Sequence, residues 1–172
     1  RTHGQPSHAG LTKSHGRSAI TKMAEIVQRI EAMNDEERGT TYAVGTIHGG
    51  NFVNVVAVTC EVEVLCVAPT DALLHQVRQN LQFLEDEADG VRVEVEFGLC
   101  RPIAKPHSKT MALYKHARRL ATEIGIDLGH CQSAGGSDGN FTGPLGIATL
   151  DGLGVAGAGA HTFDEHLLIS SL

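Results

Sequence analysis

Strict alternation of apolar and polar side chains in two stretches constrains the fold of this chain more than any other feature. Residues 58–64 alternate valines and a cysteine with threonine and glutamates, and residues 91–97 alternate valines and a phenylalanine with arginine and glutamates. Successive side chains of a strand point to opposite faces of a sheet, so each stretch predicts a strand with one buried face. We extend the first strand from Val53 to Ala68 and predict another, rich in β-branched and aromatic residues, from Thr40 to Ile47.

Apolar residues recur at three- and four-residue steps before and after these two central strands, which predicts two amphipathic helices. The first runs from Gly16 to about Met33. The second starts at Thr70, whose side-chain oxygen can cap free amides, and it ends at Asp89-Gly90.

Residues 1–9 are short, polar and extended in character, and we predict that they form an edge strand. The resulting order over roughly residues 1–100 is β-α-β-β-α-β, typical of a ferredoxin-like sandwich with two helices on one face of a four-stranded antiparallel sheet. The sequence therefore predicts an α+β fold for this part.

The rest of the chain is less regular. Two prolines between Arg101 and Pro106 indicate a linker, Ser108 is the predicted cap of a third helix that stops at Gly125, and short strands are expected near 129–131 and 147–150. One helix with a buried stripe needs a partner layer, so residues 106–172 are expected to be an incomplete α/β domain and the sequence looks truncated.

Composition excludes several classes of protein. The formal net charge is -6 and the Lys and Arg residues are scattered, so no nucleic-acid partner is predicted. No apolar run reaches the roughly 20 residues of a membrane span, so no membrane partner is predicted either. The four cysteines are too sparse for a disulfide framework, which favours free thiols and a cytoplasmic location.

The stretch 134–165 carries two short polar clusters separated by a Gly-rich, otherwise apolar run. A histidine beside two carboxylates in a glycine-rich loop suits a metal ligand or a proton-handling group. A capped surface loop with an exposed histidine is the alternative.

Four motifs occur in the order and spacing of a known family. They are Ser-His-Ala-Gly at 7–10, Gly-Gly at 49–50 followed by Val-Asn-Val-Val at 53–56, Gly-Ser-Asp-Gly-Asn at 136–140, and Ala-His-Thr-Phe-Asp-Glu at 160–165. In these motifs the chain resembles the two-zinc metallopeptidases that include aminoacylases and glutamate carboxypeptidases. The resemblance implies that residues 1–105 are the lid or dimerisation domain and residues 106–172 the C-terminal portion of the zinc-binding catalytic domain.

The resemblance also assigns roles in the lid. His8 matches the histidine that reaches across a homodimer to polarise the scissile carbonyl, and Asn54 matches an asparagine that contacts substrate. Arg101 resembles the arginine that holds the substrate's free carboxylate, where a guanidinium fork suits bidentate pairing. A strand-end histidine, a turn asparagine and a linker arginine are the structural alternatives.

In the second part, His161 matches the family's final zinc ligand, and Asp164 or Glu165 could fix its tautomer. We expect Asp138 to cap the helix after its turn rather than to bind metal. The family's remaining metal ligands and its general base lie before the lid, in a segment that this sequence does not include. The strand after Asn54 also departs from the family, because Leu65-Cys66-Val67 stands where an Asp-x-Arg pattern is usual.

The function implied is that of a zinc-dependent carboxypeptidase or amidohydrolase acting on an acylated amino acid or small peptide. Two zinc ions would serve the complete enzyme, and this chain alone is expected to be inactive. The alternatives are a non-catalytic dimerisation module, a small-ligand regulatory domain and an N-carbamoyl amino acid amidohydrolase.

Overall fold

The computed structural model describes residues 1–172, and their contacts divide the chain into two units, residues 1–100 and 101–172. The division falls at the start of the proline-containing stretch read as a linker. The assignment of residues 1–105 to a lid and 106–172 to a catalytic domain stays a prediction.

The first unit contains a four-stranded antiparallel sheet and two helices, in the predicted order. Its elements are β1 (Thr2–His3), α1 (Ala19–Glu31), β2 (Thr41–Gly49), β3 (Thr59–Val67), α2 (Asp71–Gln82) and β4 (Arg92–Val93). The strands lie in the order β2-β3-β1-β4. This is the arrangement of a ferredoxin-like sandwich, and the predicted fold class is confirmed.

The prediction that the first residues form an edge strand is wrong. Thr2 pairs with Cys60 of β3 on one side and with Val93 of β4 on the other, so β1 is an inner strand. The polar composition is compatible with burial because the Thr2 hydroxyl donates a hydrogen bond of 2.9 Å to the carbonyl of Ala19. A satisfied hydroxyl can be buried without the cost of an unpaired polar group.

Two predicted strands are longer than the observed ones. The stretch Val53 to Ala68 forms a strand only from Thr59, because residues 50–58 make a loop that begins at Gly50 with φ +70°. The stretch 91–97 forms regular strand only at Arg92–Val93. Beyond it the Val95 amide donates to the Glu85 side chain at 3.3 Å instead of to a neighbouring strand.

Both helices of the first unit begin at a residue whose side-chain hydroxyl caps the helix. Ser18 accepts a hydrogen bond from the Thr21 amide, and Thr70 accepts one from the Leu73 amide as predicted. Helix α2 ends at Gln82, earlier than the predicted stop at Asp89-Gly90. The core between helices and sheet is made by Ala19, Met23, Ile26, Ile30, Tyr42, Cys60, Val77, Leu84 and Val93.

The second unit contains α3 (Ser108–Glu123), the short α4 (Gly139–Thr142) and a small hairpin of β5 (Gly157–Ala158) and β6 (His166–Leu167). Strands predicted near 129–131 and 147–150 are absent. Ser108 does not cap α3, because the residue at the N-cap is His107 and no side-chain cap bond forms there. No helix in the chain has the length and apolar character needed to cross a bilayer.

Candidate functional site

His8 lies in the turn that follows β1, and its own backbone fixes one side of its ring. The Nδ1 atom accepts hydrogen bonds from the amides of Gly10 at 3.1 Å and Leu11 at 3.2 Å. An amide N–H can only donate, so in the neutral ring Nδ1 is the acceptor and the proton is on Nε2. The exposed side chain therefore presents an N–H donor outward.

Asn54 lies beside His8 on a neighbouring segment. His8 forms an isolated antiparallel bridge with Val55, and the amide of Ala9 donates to the carbonyl of Asn54 at 2.9 Å. The structure thus brings together the two lid residues that the resemblance singled out. The Asn54 residue is exposed, which leaves its amide group accessible to a ligand.

The outer edge of β2 is covered over its first half only. The side chain of Asn34 accepts from the Tyr42 amide at 2.8 Å and donates to the Tyr42 carbonyl at 3.0 Å. The Glu31 carboxylate accepts from the Val44 amide at 3.0 Å. These side chains occupy backbone groups that an edge strand would otherwise offer to another strand.

Beyond Val44 the pairing of β2 with β3 shifts register, so Thr46 faces Glu63 and Ile47 faces Val62. In antiparallel pairs, residues alternate between those bonded to the partner and those whose groups point away. With one residue inserted by the bulge, Ile47 and Gly49 continue the outward series of Tyr42 and Val44. Residues 45–49 are therefore the open half of this edge. Sequence reasoning missed this feature, because it depends on the docking of Asn34 and Glu31.

The Gly135–Asn140 turn is held by hydrogen bonds among Ser137, Gly139 and Asn140 rather than by the side chain of Asp138. The Ser137 amide donates to the Asn140 side chain at 2.8 Å, and the amide of Gly139 donates to the Ser137 hydroxyl at 3.1 Å. Asp138 is exposed and is the N-cap of α4, but its side chain makes no cap hydrogen bond.

The same turn lies against the segment that begins at Arg101. Asn140 donates to the carbonyl of Pro102 at 2.8 Å. A Cβ on Gly136 would lie 3.0 Å from the Arg101 side chain, so a larger residue there would require that flexible side chain to shift. Arg101 and the glycine-rich turn therefore meet within the second unit.

His161 lies in the loop of the β5–β6 hairpin, in the left-handed region with φ +62°. The carboxylate of Glu165 accepts from the His161 backbone amide at 2.9 Å, and the Thr162 hydroxyl accepts from the amide of Asp164 at 3.2 Å. Glu165 thus fixes the backbone of His161, whereas the expectation was that it would hold the ring. The histidine side chain is exposed.

The residues of this chain do not by themselves fit a zinc centre. A protein zinc site takes three or four His, Cys or carboxylate ligands. The chain contains no group of three or more such side chains placed to hold a metal ion. His161 is available as a single ligand, and no zinc chemistry can be assigned to this chain alone.

Comparison with protein-family models identifies the family of the first unit. A family model described as the peptidase dimerisation domain, of the M20 peptidases, matches residues 1–90, which is more than half of the chain. No curated protein sequence matches.

Two solved structures resemble the chain over nearly its whole length. The aminopeptidase PepT from Bacillus cereus ATCC 10987 has a TM-score of 0.73 at 24% identity, over 99% of this chain and 46% of that protein. A tripeptidase from Staphylococcus aureus subsp. aureus Mu50 has a TM-score of 0.70 at 26% identity, over 99% of this chain and 45% of that protein. The chain spans less than half of the length of either structure. On the match of its first 90 residues, the chain belongs to the peptidase dimerisation domain family.

Proposed function

We propose that this chain supplies the dimerisation domain and an adjoining part of the catalytic domain of a zinc-dependent hydrolase. The complete enzyme would cleave the amide bond of a small peptide or an acylated amino acid, and the 172-residue chain alone would be inactive. The observation that carries the proposal is the fixed His8 ring in a domain of the peptidase dimerisation family.

His8 would act on the substrate held by a partner subunit. Its Nε2–H can donate to the oxygen of the scissile carbonyl as negative charge develops there. Because Gly10 and Leu11 already occupy Nδ1, the ring needs no reorganisation to present this donor. Asn54, on the neighbouring segment, would hold the substrate through its side-chain amide.

A small peptide is the favoured substrate class. The tripeptidase is 26% identical to this chain over 99% of this chain's length, which supports peptides over N-carbamoyl amino acids as substrates. Arg101, beside the Gly135–Asn140 turn, would pair with the free carboxylate in a carboxypeptidase-type reaction. His161 would give one of the zinc ligands, its loop held by the contacts of Asp164 and Glu165.

Dimerisation would use the open half of the β2 edge. Strand pairing with a second copy satisfies the outward groups of Ile47 and Gly49. Ile47 is 53% exposed and Ile20, whose side chain lies beside Gly49, is 42% exposed. A partner strand would cover both side chains, so hydrogen bonding and apolar burial act at one place.

The first test is metal content and hydrolysis in the purified 172-residue chain after zinc is added and the excess removed. The proposal predicts substoichiometric zinc and no cleavage of tripeptides or acylated amino acids. Tight binding of zinc at stoichiometric amounts, together with hydrolysis, would overturn the proposal that the other zinc ligands lie outside these 172 residues. We also propose a cytoplasmic location, which the four free cysteines favour and which fractionation of cells producing the protein would check.

A further inference from the structure

Thr12 lies four residues after His8 and binds both polar groups of the His8 backbone. The amide of His8 donates to the Thr12 hydroxyl at 3.2 Å, and the amide of Thr12 donates to the His8 carbonyl at 3.0 Å. These two hydrogen bonds close a turn over residues 8–12. The amides of Gly10 and Leu11 that donate to Nδ1 of His8 lie inside this turn, so their directions depend on its closure.

The Thr12 hydroxyl does not point in the direction that its position in the chain favours. Thr12 is the N-cap residue of a single 3₁₀ turn, Lys13–His15, with φ -135° and ψ 34°. A hydroxyl at an N-cap ordinarily accepts a hydrogen bond from an amide two or three residues further along the helix. No such bond forms here, and the hydroxyl accepts from the His8 amide behind it. The Thr12 side chain therefore serves the turn that contains His8 and not the helical turn that follows.

Other contacts fix the two ends of the segment 8–16. Near its start, the amide of Ala9 donates to the carbonyl of Asn54 at 2.9 Å. At its end, a Cβ on Gly16 would collide with the Ser7 hydroxyl, so the backbone there packs closely against the residue before His8. The segment is thus a loop with both ends anchored on the first unit.

Core packing does not hold the middle of this loop. Leu11 is 82% exposed and Thr12 is also exposed. Segments with few buried apolar contacts open at a low free-energy cost, so single hydrogen bonds decide how often they are closed. Loss of the Thr12 hydroxyl would therefore increase the fraction of molecules in which the turn is open and the His8 ring is free to rotate.

We propose that Thr12 is a positioning residue for His8, whose hydroxyl keeps the turn closed so that two backbone amides orient the imidazole ring. The proposal rests on the proposed function for the catalytic role of His8. Thr12 acts only through the ring, and its hydroxyl is already occupied by the His8 amide.

The first test measures the exchange of backbone amides with water by NMR in the 172-residue chain. Thr12→Val removes the hydroxyl and keeps the branched shape, and it should speed exchange at Gly10 and Leu11 about fivefold. That factor corresponds to about 1 kcal/mol, the net contribution of one neutral hydrogen bond. Thr12→Ser keeps the hydroxyl and should restore the exchange rates of the unaltered chain.

The control variant is Thr41→Val, which makes the same change at an exposed position of β2 whose hydroxyl forms no hydrogen bond. It should leave exchange at Gly10 and Leu11 unchanged. Dispersed amide spectra would verify that each variant is folded.

The second test measures kinetics in the complete enzyme. Thr12→Val should lower kcat about fivefold with KM unchanged, because the oriented ring acts on charge that develops in the transition state. Thr12→Ser should restore kcat. In the His8→Ala background, Thr12→Val should change kcat by less than about twofold, because residues that act through one group are not additive.

Unchanged exchange at Gly10 and Leu11 in Thr12→Val would overturn the proposal. Equal exchange in Thr12→Ser and Thr12→Val would also overturn it, because the effect would then belong to the methyl group. So would an equal loss of kcat from Thr12→Val with and without the His8 ring. Faster exchange in a background where His8→Ala leaves kcat unchanged would refute the catalytic role of His8 and still support its positioning by Thr12.

Discussion

The Nδ1 atom of His8 accepts a hydrogen bond from the backbone amide of Gly10 at 3.1 Å. The amide of Leu11 donates to the same atom at 3.2 Å, so two donors from one turn fix the ring. The neutral tautomer that satisfies this geometry has its proton on Nε2. A turn of four residues thus converts an exposed histidine into an oriented hydrogen-bond donor.

The first prediction concerns that tautomer. In the neutral ring, long-range proton–nitrogen correlation spectra of the chain should show His8 protonated at Nε2 and unprotonated at Nδ1. In the complete enzyme, His8→Ala should lower kcat about a hundredfold, the scale of losing one donor to a developing oxyanion. A His8 ring protonated at Nδ1 would contradict the geometry on which its role depends.

The second prediction concerns the open half of the β2 edge. Ile47→Glu should raise the dissociation constant of the dimer about tenfold or more, because a charge would be buried where an apolar side chain is covered. Leu65→Glu is the matched control, since Leu65 is also exposed and lies on β3 away from this edge. Sedimentation would measure both, and equal dissociation of the two variants would argue against the assigned edge.

The third prediction concerns the covered half. Asn34→Ala leaves the outward amide and carbonyl of Tyr42 without their partners, and it should lower the free energy of unfolding by about 1–3 kcal/mol. Gln28→Ala, at an exposed position on α1 with no side-chain hydrogen bond, should change it by less than about 0.5 kcal/mol. Urea unfolding compares the two, and equal stabilities would show that Asn34 does not protect the strand.

These edge contacts mark the boundary of what could be predicted from sequence. The element order of the first unit follows from alternation and helical periodicity, and the Thr70 cap was predicted because its chemistry is local. The position of β1 inside the sheet could not be read from its polar residues, since it depends on pairing with residues about sixty and ninety positions away.

The same distinction holds at the candidate site. Motif spacing led to His8 and Asn54, and the structure places them on neighbouring segments. The cap expected of Asp138 is absent, and the turn is closed instead by the Ser137 amide donating to the Asn140 side chain and the Gly139 amide donating to the Ser137 hydroxyl. This change of hydrogen-bond partners cannot be predicted from residue spacing, because it depends on the directions of the side chains. The catalytic and ligand roles of His8, Asn54, Arg101 and His161 stay predictions.

The fourth prediction concerns the thiols. All four cysteines are free, Cys60 is buried and Cys100 and Cys131 are exposed. Burial raises the pKa of both Cys60 and Cys66, which lowers the thiolate fraction at neutral pH. A thiol reagent should therefore label two cysteines quickly and the other two slowly in the folded chain. Fast labelling of all four without denaturant would contradict the sheet packing.

The fifth prediction concerns acid. The hydrogen bond and the charge of Arg1 hold the pKa of Glu61 below its ordinary value of 4.5. A carboxylate with a depressed pKa in the folded state adds stability above its unfolded pKa, and this contribution is lost as pH falls through the folded value. As the pH is lowered below about 4.5, the urea concentration at the midpoint of unfolding should therefore decrease. The decrease should be less steep for Glu61→Gln, which lacks this carboxylate. An identical acid slope in Glu61→Gln would rule out a contribution from this pair.

A dimerisation domain should bring two copies of this chain together, and sedimentation equilibrium of the purified 172-residue chain measures that association. We expect a mass approaching twice the 18.2 kDa of one chain as concentration rises. A mass that stays at 18.2 kDa at every concentration would contradict it.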